Sequence, residues 1–149
     1  MKFDKMKLAL AAIGLVNLSQ AMAANTTTVG VTATVQGICK FSAATGSTLN
    51  FGTIDPSGTT AATATVGLPF QCTKNSSSAA SITGGGTALV SGTTTMTYSS
   101  SLTNAVQTGS GFGSNPTLTM TLNGSIAFSA YQAAPALAYA DSIIVSITP

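Results

Sequence analysis

From residue 27 onward, the chain is a series of short segments in which apolar and polar residues alternate. A period of two places successive side chains on opposite faces of a β-strand. The clearest segments are residues 27–35, 49–54, 64–72, 81–83, 93–98, 116–122, 124–131 and 142–148. Clusters of Gly, Ser and Asn separate them, and no segment has a convincing helical period. The pattern therefore predicts an all-β fold.

The first and last segments alternate most regularly. One face of residues 27–35 would carry Val29, Val31, Ala33 and Val35. One face of residues 142–148 would carry Ile143, Val145 and Ile147, with hydroxyls on the other face. A last strand without a neighbour would expose its edge as a template for another chain, whereas pairing of the two strands within one domain would hide both edges. The alternation is compatible with either arrangement.

Two interior segments carry local signals. Residues 49–54 (LNFGTI) direct Leu49 and Phe51 to one face, and the sequence from Asp55 to Gly58 (DPSG) then predicts a turn. Pro69 lies inside segment 64–72. Because proline has no N–H to donate to a ladder, we expect an edge or a bulge at that position.

Charge is almost absent from the chain. It contains no His, Glu, Arg or Trp, and beyond residue 23 its charged residues are Lys40, Asp55, Lys74 and Asp141, which sum to zero. Most enzyme mechanisms need grouped titratable side chains, so we expect a protein that is not an enzyme. Nucleic-acid binding needs clustered basic residues, which are missing. We expect no metal and no cofactor. A carbohydrate-binding domain is a weaker alternative, since aromatic residues are few.

The N-terminus has the pattern of a secretory signal peptide. Lys2, Lys5 and Lys7 precede a short apolar run at residues 8–16, and residues 21–23 (AMA) form a cleavage site. The alternative is a membrane anchor, but the apolar run is far shorter than the roughly 20 residues that a spanning helix needs. We therefore predict cleavage after Ala23 and export of the remaining chain.

The only two cysteines are Cys39 and Cys72. In an exported chain a cysteine pair indicates a disulfide, and only one pairing is available. The alternative is a metal site, which two thiols without His or clustered carboxylates would make poorly. The sequence favours the disulfide.

Three groups of residues, taken in order, resemble a known family. Cys39 is followed by residues 49–55 (LNFGTID), then by residues 70–73 (FQCT), and the chain closes with residues 139–147 (YADSIIVSI). This arrangement is similar to the spore coat protein U domain, a family that includes subunits of archaic, Csu-type chaperone–usher pili. The resemblance covers residues 39–73 and 131–148.

The resemblance implies an incomplete immunoglobulin-like β-sandwich that lacks its last strand and is completed by a donor strand from another subunit. The chain would then divide into a signal peptide at residues 1–23, a donor-strand segment at residues 24–36 and a pilin domain at residues 37–149. Such a subunit would pass through the periplasm to the cell surface. Its partners would be neighbouring pilin subunits, a periplasmic chaperone and an outer-membrane usher.

The same resemblance assigns roles to the two terminal segments. The donor strand would present Val29, Val31, Ala33 and Val35, and the acceptor groove would be formed by Ile143, Val145 and Ile147. Asp141 is expected either to cap a turn or to meet a basic chaperone residue, and Lys40 and Lys74 are expected to be solvated. The implied function is a structural pilus subunit that supports adhesion and biofilm formation. The alternative is a secreted coat or matrix protein with a self-complete sandwich.

Overall fold

Antiparallel β-structure dominates the protein, as the alternating pattern predicts. The computed structural model describes residues 25–42 and 47–149, so the predicted signal peptide lies outside the described residues. Residues 25–33 belong to a different unit from Thr34–Pro149, and the second unit contains every strand of the described chain. The elements are β1 Cys39–Phe41, β2 Ala62–Cys72, β3 Ala79–Gly84, β4 Ala88–Ser91, β5 Thr94–Thr97, β6 Ser99–Thr103, β7 Leu118–Ile126, α1 Phe128–Tyr131 and β8 Ile144–Thr148.

Four strands form the largest sheet, in the order β1-β2-β7-β6, with antiparallel neighbours throughout. β2 pairs with β7 without a register shift, from Ala62 opposite Ile126 to Phe70 opposite Leu118. Alternate residues of both strands face inward, and Phe70 and Met120 are fully buried. Mainly Thr, Ser and Asn occupy the outward positions, where hydroxyl and amide groups meet water without any charge.

Two smaller sheets complete the fold, one from β3 and β8 and one from β4 and β5. Val145 and Ile147 of β8 pack against the buried cluster of Phe70, Cys72 and Met120. A second cluster is formed by Met96, Tyr98, Ile126 and Tyr131. The β3–β8 pair thus covers part of the inner face of the large sheet.

Pro69 lies inside β2 without interrupting it. β1 ends at Phe41, and the next residue, Ser42, donates its N–H to the Pro69 carbonyl oxygen at 2.8 Å. The N–H and C=O of one strand residue point to the same side, so the N–H that proline lacks would point toward the end of β1 and away from β7. β2 lies between β1 and β7, so neither the expected edge nor a bulge is found: the ladder to β7 keeps its register, and the missing N–H falls where pairing with β1 ends.

Residues 49–54 do not form the predicted strand. Gly52 has a φ of 69°, which extended backbone does not allow, and its N–H donates to the Asn50 Oδ1 at 2.8 Å. This local turn competes with ladder pairing. Leu49 and Phe51 are nevertheless half-buried, so the predicted apolar face is present without the strand.

The turn predicted after residue 54 is present. The Asp55 Oδ1 accepts hydrogen bonds from the Ser57 N–H at 2.9 Å and from the Ser57 hydroxyl at 2.7 Å, and the Gly58 N–H donates to the Asp55 carbonyl oxygen at 3.1 Å. The Ser57 bonds favour the ionised carboxylate and hold the pKa of Asp55 below its usual value. Asp55 is therefore a turn residue.

The prediction of separate strands at residues 116–122 and 124–131 is wrong. A single strand, β7, continues to Ile126, and the short helix α1 follows it. The helix brings Tyr131 back to the cluster that contains Ile126. Segment 27–35 also forms no strand within this chain.

The predicted disulfide between Cys39 and Cys72 is present. The two cysteines are directly opposite each other in the register of β1 and β2. Cys72 is fully buried among Phe70 and Met120, so the bond ties the short strand β1 to the core.

Removing this bond in the double variant C39A/C72A should lower the free energy of unfolding by about 4 kcal/mol, because it releases a closed loop from the unfolded chain. Urea unfolding of the oxidised protein, the reduced protein and the variant measures the difference. Reduction should bring the wild type close to the variant and leave the variant unchanged. An oxidised protein whose unfolding midpoint equals the reduced one would contradict the prediction.

Candidate functional site

A cleft of about 500 Å³ opens between the large sheet and β8. The large sheet contributes Val66, Leu68 and Leu122, while β8 and the residue before it contribute Val145 and Ile143. The loop after the undescribed residues 43–46 contributes Leu49 and Phe51. Val66 and Leu68 are only partly buried, in contrast to Phe70 further along the same strand. Ala64 and Ile126 toward one end of the inner face and Phe70 and Met120 toward the other are buried, so the face is partly open between them, at Val66 and Leu68.

Strand β8 borders this cleft with a free edge. It pairs with β3 on one side, and no described strand pairs with it on the other. Val145 points inward and Ile144 is 61% exposed. The lining also includes polar residues, among them Asp141 and Ser142. A cleft beside an unpaired backbone edge can accept an extended chain, because the backbone would pair with the edge while alternate side chains enter the cleft.

The structure brings together only part of the predicted acceptor set. Ile143 and Val145 line the cleft, whereas Ile147 packs against the cluster around Phe70. The cleft residues Val66, Leu68 and Leu122 were not singled out from the sequence. The alternation along 64–72 would have identified Val66 and Leu68, but not which part of that face stays open.

Gly124 shapes one side of the cleft. A Cβ atom at this position of β7 would lie 2.7 Å from both the Leu49 Cδ2 and the Phe51 Cζ. The missing side chain lets the loop that carries these two residues approach the sheet closely. The loop therefore covers the sheet at Gly124 and leaves Val66 and Leu68 beside it partly uncovered.

Asp141 fixes the start of β8 at the other side of the cleft. Its Oδ2 accepts hydrogen bonds from the Tyr98 hydroxyl at 2.7 Å and from the Gly86 N–H at 2.8 Å, and its Oδ1 accepts from the Ser142 N–H at 2.7 Å. The bond from Tyr98, followed by that from Gly86, lowers the pKa of Asp141. Burial, reinforced by this carboxylate, raises the pKa of Tyr98. The carboxylate is structural here, since donors of its own chain engage both oxygens.

The predicted donor residues are exposed. Residues 25–36 are exposed throughout and lie in no strand; Val29, Val31 and Val35 are 75%, 88% and 82% exposed. Ala33 is exposed as well. Three valines and one alanine in alternation thus expose apolar side chains to water. This exposure does not stabilise an isolated monomer.

The described residues contain no candidate metal centre. In residues 25–42 and 47–149, no three His, Cys, Asp or Glu side chains are grouped as a metal site would require. No helix in the same ranges has the length and apolar character to cross a membrane. Lys40 and Lys74 are exposed.

The chain matches no protein-family model, no curated protein and no solved structure. Its resemblance to the spore coat protein U domain stays a prediction that rests on the short motifs described above.

Replacing Gly124 with Ala should destabilise the protein by about 1–3 kcal/mol, because the new methyl group displaces Leu49 and Phe51. The matched control is Gly67→Ala, on the outward face of the neighbouring strand β2, where the nearest atom to a Cβ is the Thr119 Cγ2 at 3.3 Å. Thermal unfolding of both variants measures the effect. Equal melting temperatures for the two variants would contradict the close packing at Gly124.

Replacing Asp141 with Asn should lower the free energy of unfolding by about 1 kcal/mol at neutral pH, because the bonds from Tyr98 and Gly86 lose their charged acceptor. The pKa of Asp141 is lower in the folded state, so its contribution is complete above the unfolded value of about 4 and is lost as the pH falls through the folded value. Urea unfolding across acidic pH should show a weaker pH dependence in the variant.

Tyr98→Phe is the matched control, since it removes the main donor and keeps the carboxylate. Both variants retain Asp55, whose lowered pKa accounts for acid dependence that remains. If wild type and Asp141→Asn lose stability in parallel as the pH falls, the hydrogen bonds from Tyr98 and Gly86 do not depend on an ionised Asp141, and the prediction is wrong.

Proposed function

We propose that the protein is a structural subunit of a surface pilus, or fimbria, assembled by the chaperone–usher pathway through donor-strand exchange. In this role it supports adhesion and biofilm formation. The observation that carries the proposal is the cleft beside the free edge of β8, which is lined in part by apolar side chains and occurs in a chain that also exposes an alternating apolar segment.

In this proposal the packed sheets form an immunoglobulin-like sandwich whose last strand is missing. A donor strand from another subunit would lie along the free edge of β8 and cover Val66 and Leu68. Main-chain hydrogen bonds would supply affinity, and the alternate side chains that enter the cleft would supply specificity. Val66 and Leu68 are only partly buried, which supports the proposal that a strand position above them is unfilled.

Residues 27–35 have the properties of such a donor. Their apolar side chains recur every second residue, which corresponds to about 6.8 Å along a strand. The inward positions of β8 have the same spacing. Burial of Val29, Val31 and Val35 would each contribute roughly 1.5–3 kcal/mol before the cost of ordering the segment is subtracted. The segment carries no charge, so its insertion would bury none.

Charge composition also favours association between copies. After the predicted cleavage the chain would keep two lysines and two aspartates. Net charge opposes close packing of identical subunits, and this chain would have none to overcome. The disulfide suits an oxidising compartment such as the periplasm, through which we propose that the chain passes on its way to a chaperone, an usher and the cell surface.

The alternative function is a secreted coat or matrix protein that does not exchange strands. Such a protein would need a self-complete domain, and it would have to fold stably as a monomer. The open cleft and the exposed valines favour the pilus subunit over this alternative.

Replacing Val31 with Asp should abolish the polymer, because a charge would enter the apolar cleft without a partner. The assay is a denaturing gel of unheated surface protein beside a boiled sample. Wild type should give a ladder of oligomers that collapses to one band on boiling. Val31→Asp should give the single band in both lanes.

Thr32→Asp is the matched control, since it adds the same charge on the opposite face of the segment and should keep the ladder. Reduced and non-reduced samples are run in parallel to exclude disulfide cross-links. Equal ladders for the two aspartate variants would refute insertion of the Val31 face. A soluble wild-type monomer made without any chaperone would favour the self-complete secreted domain.

A further inference from the structure

The N-terminal segment leaves the domain at a fixed place. The Thr73 hydroxyl donates to the Gln36 carbonyl oxygen at 3.2 Å and accepts from the Ile38 N–H at 3.0 Å. The Thr73 N–H donates to the Ile38 carbonyl oxygen at 2.9 Å. The chain is therefore held from Gln36 onward, whereas Val35, the residue before it, is 82% exposed.

A loop with an exposed aromatic ring is attached beside this place. The Gly111 N–H donates to the Cys72 carbonyl oxygen at 3.0 Å, and the Gly109 N–H donates to the Ser76 carbonyl oxygen at 2.7 Å. Inside the loop, the Asn115 side chain donates to the Phe112 carbonyl oxygen at 2.7 Å. Phe112 lies within this loop and is 38% exposed. We call Gln36, residues 73–76 and residues 109–115 the exit pole.

The exit pole is more than a solvated turn, because further bonds tie its loop to the sheet. The Gln71 Nε2 of β2 donates to the carbonyl oxygens of Gly113 and Asn115 at 3.3 and 3.0 Å. Bonds from within the loop and from the sheet hold the loop backbone on both sides of Phe112. A loop backbone that is already ordered loses less entropy when its side chain contacts another surface.

There is no linker between the predicted donor strand and the exit pole. Val35 is the last apolar residue of the donor face, and Gln36 is already bound to Thr73. One extended residue spans at most about 3.6 Å. If Val35 is seated in the cleft of a second copy, that copy must lie directly against the exit pole.

We infer that the exit pole is a second contact surface between successive copies of this chain, with Phe112 packed on the copy that accepts the donor strand. This inference rests on the proposed function. Strand insertion by itself would join two domains by a single segment, whereas this surface would also fix their relative orientation. The interface would then be a strand in a cleft plus a contact between domains.

The test replaces Phe112 by the photoreactive p-benzoylphenylalanine in the full chain, in cells that assemble the polymer. Phe128 is the matched control, because it is 45% exposed but belongs to α1, which packs in the Tyr131 cluster and not beside Cys72. After illumination, boiled samples should show a cross-linked dimer for position 112 and none for position 128. Unheated samples should show the ladder for both.

A second variant inserts Gly-Ser-Gly-Ser between Gln36 and Gly37. It should keep the ladder and lose the cross-link from position 112, because the inserted residues let the two domains separate. An unheated ladder without a cross-link at 112 in the chain without the insertion overturns the inference and leaves strand exchange intact. Loss of the ladder in the unmodified chain overturns the proposed function and this inference together.

Discussion

The antiparallel pairing of β2 with β7 is the interaction on which the remaining structure depends. Its unbroken register, from Ala62 opposite Ile126 to Phe70 opposite Leu118, decides which side chains of both strands face inward. One end of that inner face is covered by β8 through Val145 and Ile147, and there Phe70 and Met120 are fully buried. The other end is covered by the cluster that contains Ile126, and Val66 and Leu68 between the two ends are only partly buried.

Hydrogen bonds between uncharged groups make most of the polar side-chain contacts in this protein. Hydroxyls and amides cover the outward face of the large sheet, and Thr73 holds the N-terminal segment through its hydroxyl and its N–H. The buried Ser78 hydroxyl accepts from the Gln107 N–H and donates to the Ala105 carbonyl oxygen. Asp55 and Asp141 are charged exceptions, and Asp141 fixes the strand whose edge stays free. In the proposed polymer, copies with so little charge would pack together with little electrostatic repulsion.

The cleft, the free edge of β8 and the exposed valines each leave part of the protein uncovered. A sheet face that is only partly covered, a strand with one neighbour and an apolar segment without a strand are each unfavourable for a monomer in water. In the proposed polymer they would be complementary, since the segment has the side-chain period of an inserted strand. The polymer would cover all three surfaces at once, and the exit pole would determine how closely the copies approach.

The sequence by itself was sufficient to predict the all-β class, the inward positions of β8, the turn at Asp55 and the Cys39–Cys72 bond. These features follow from local chemistry: side-chain period, turn residues and the only available cysteine pair. Only the tertiary structure decided that residues 49–54 remain a loop, that β7 runs through Gly124, and that Asp141 binds Tyr98 and Gly86. It also decided where the inner face stays open, because that depends on which strands pair and how far each one covers its neighbour. No local pattern contains that information, since coverage is a property of contacts between residues far apart in the chain.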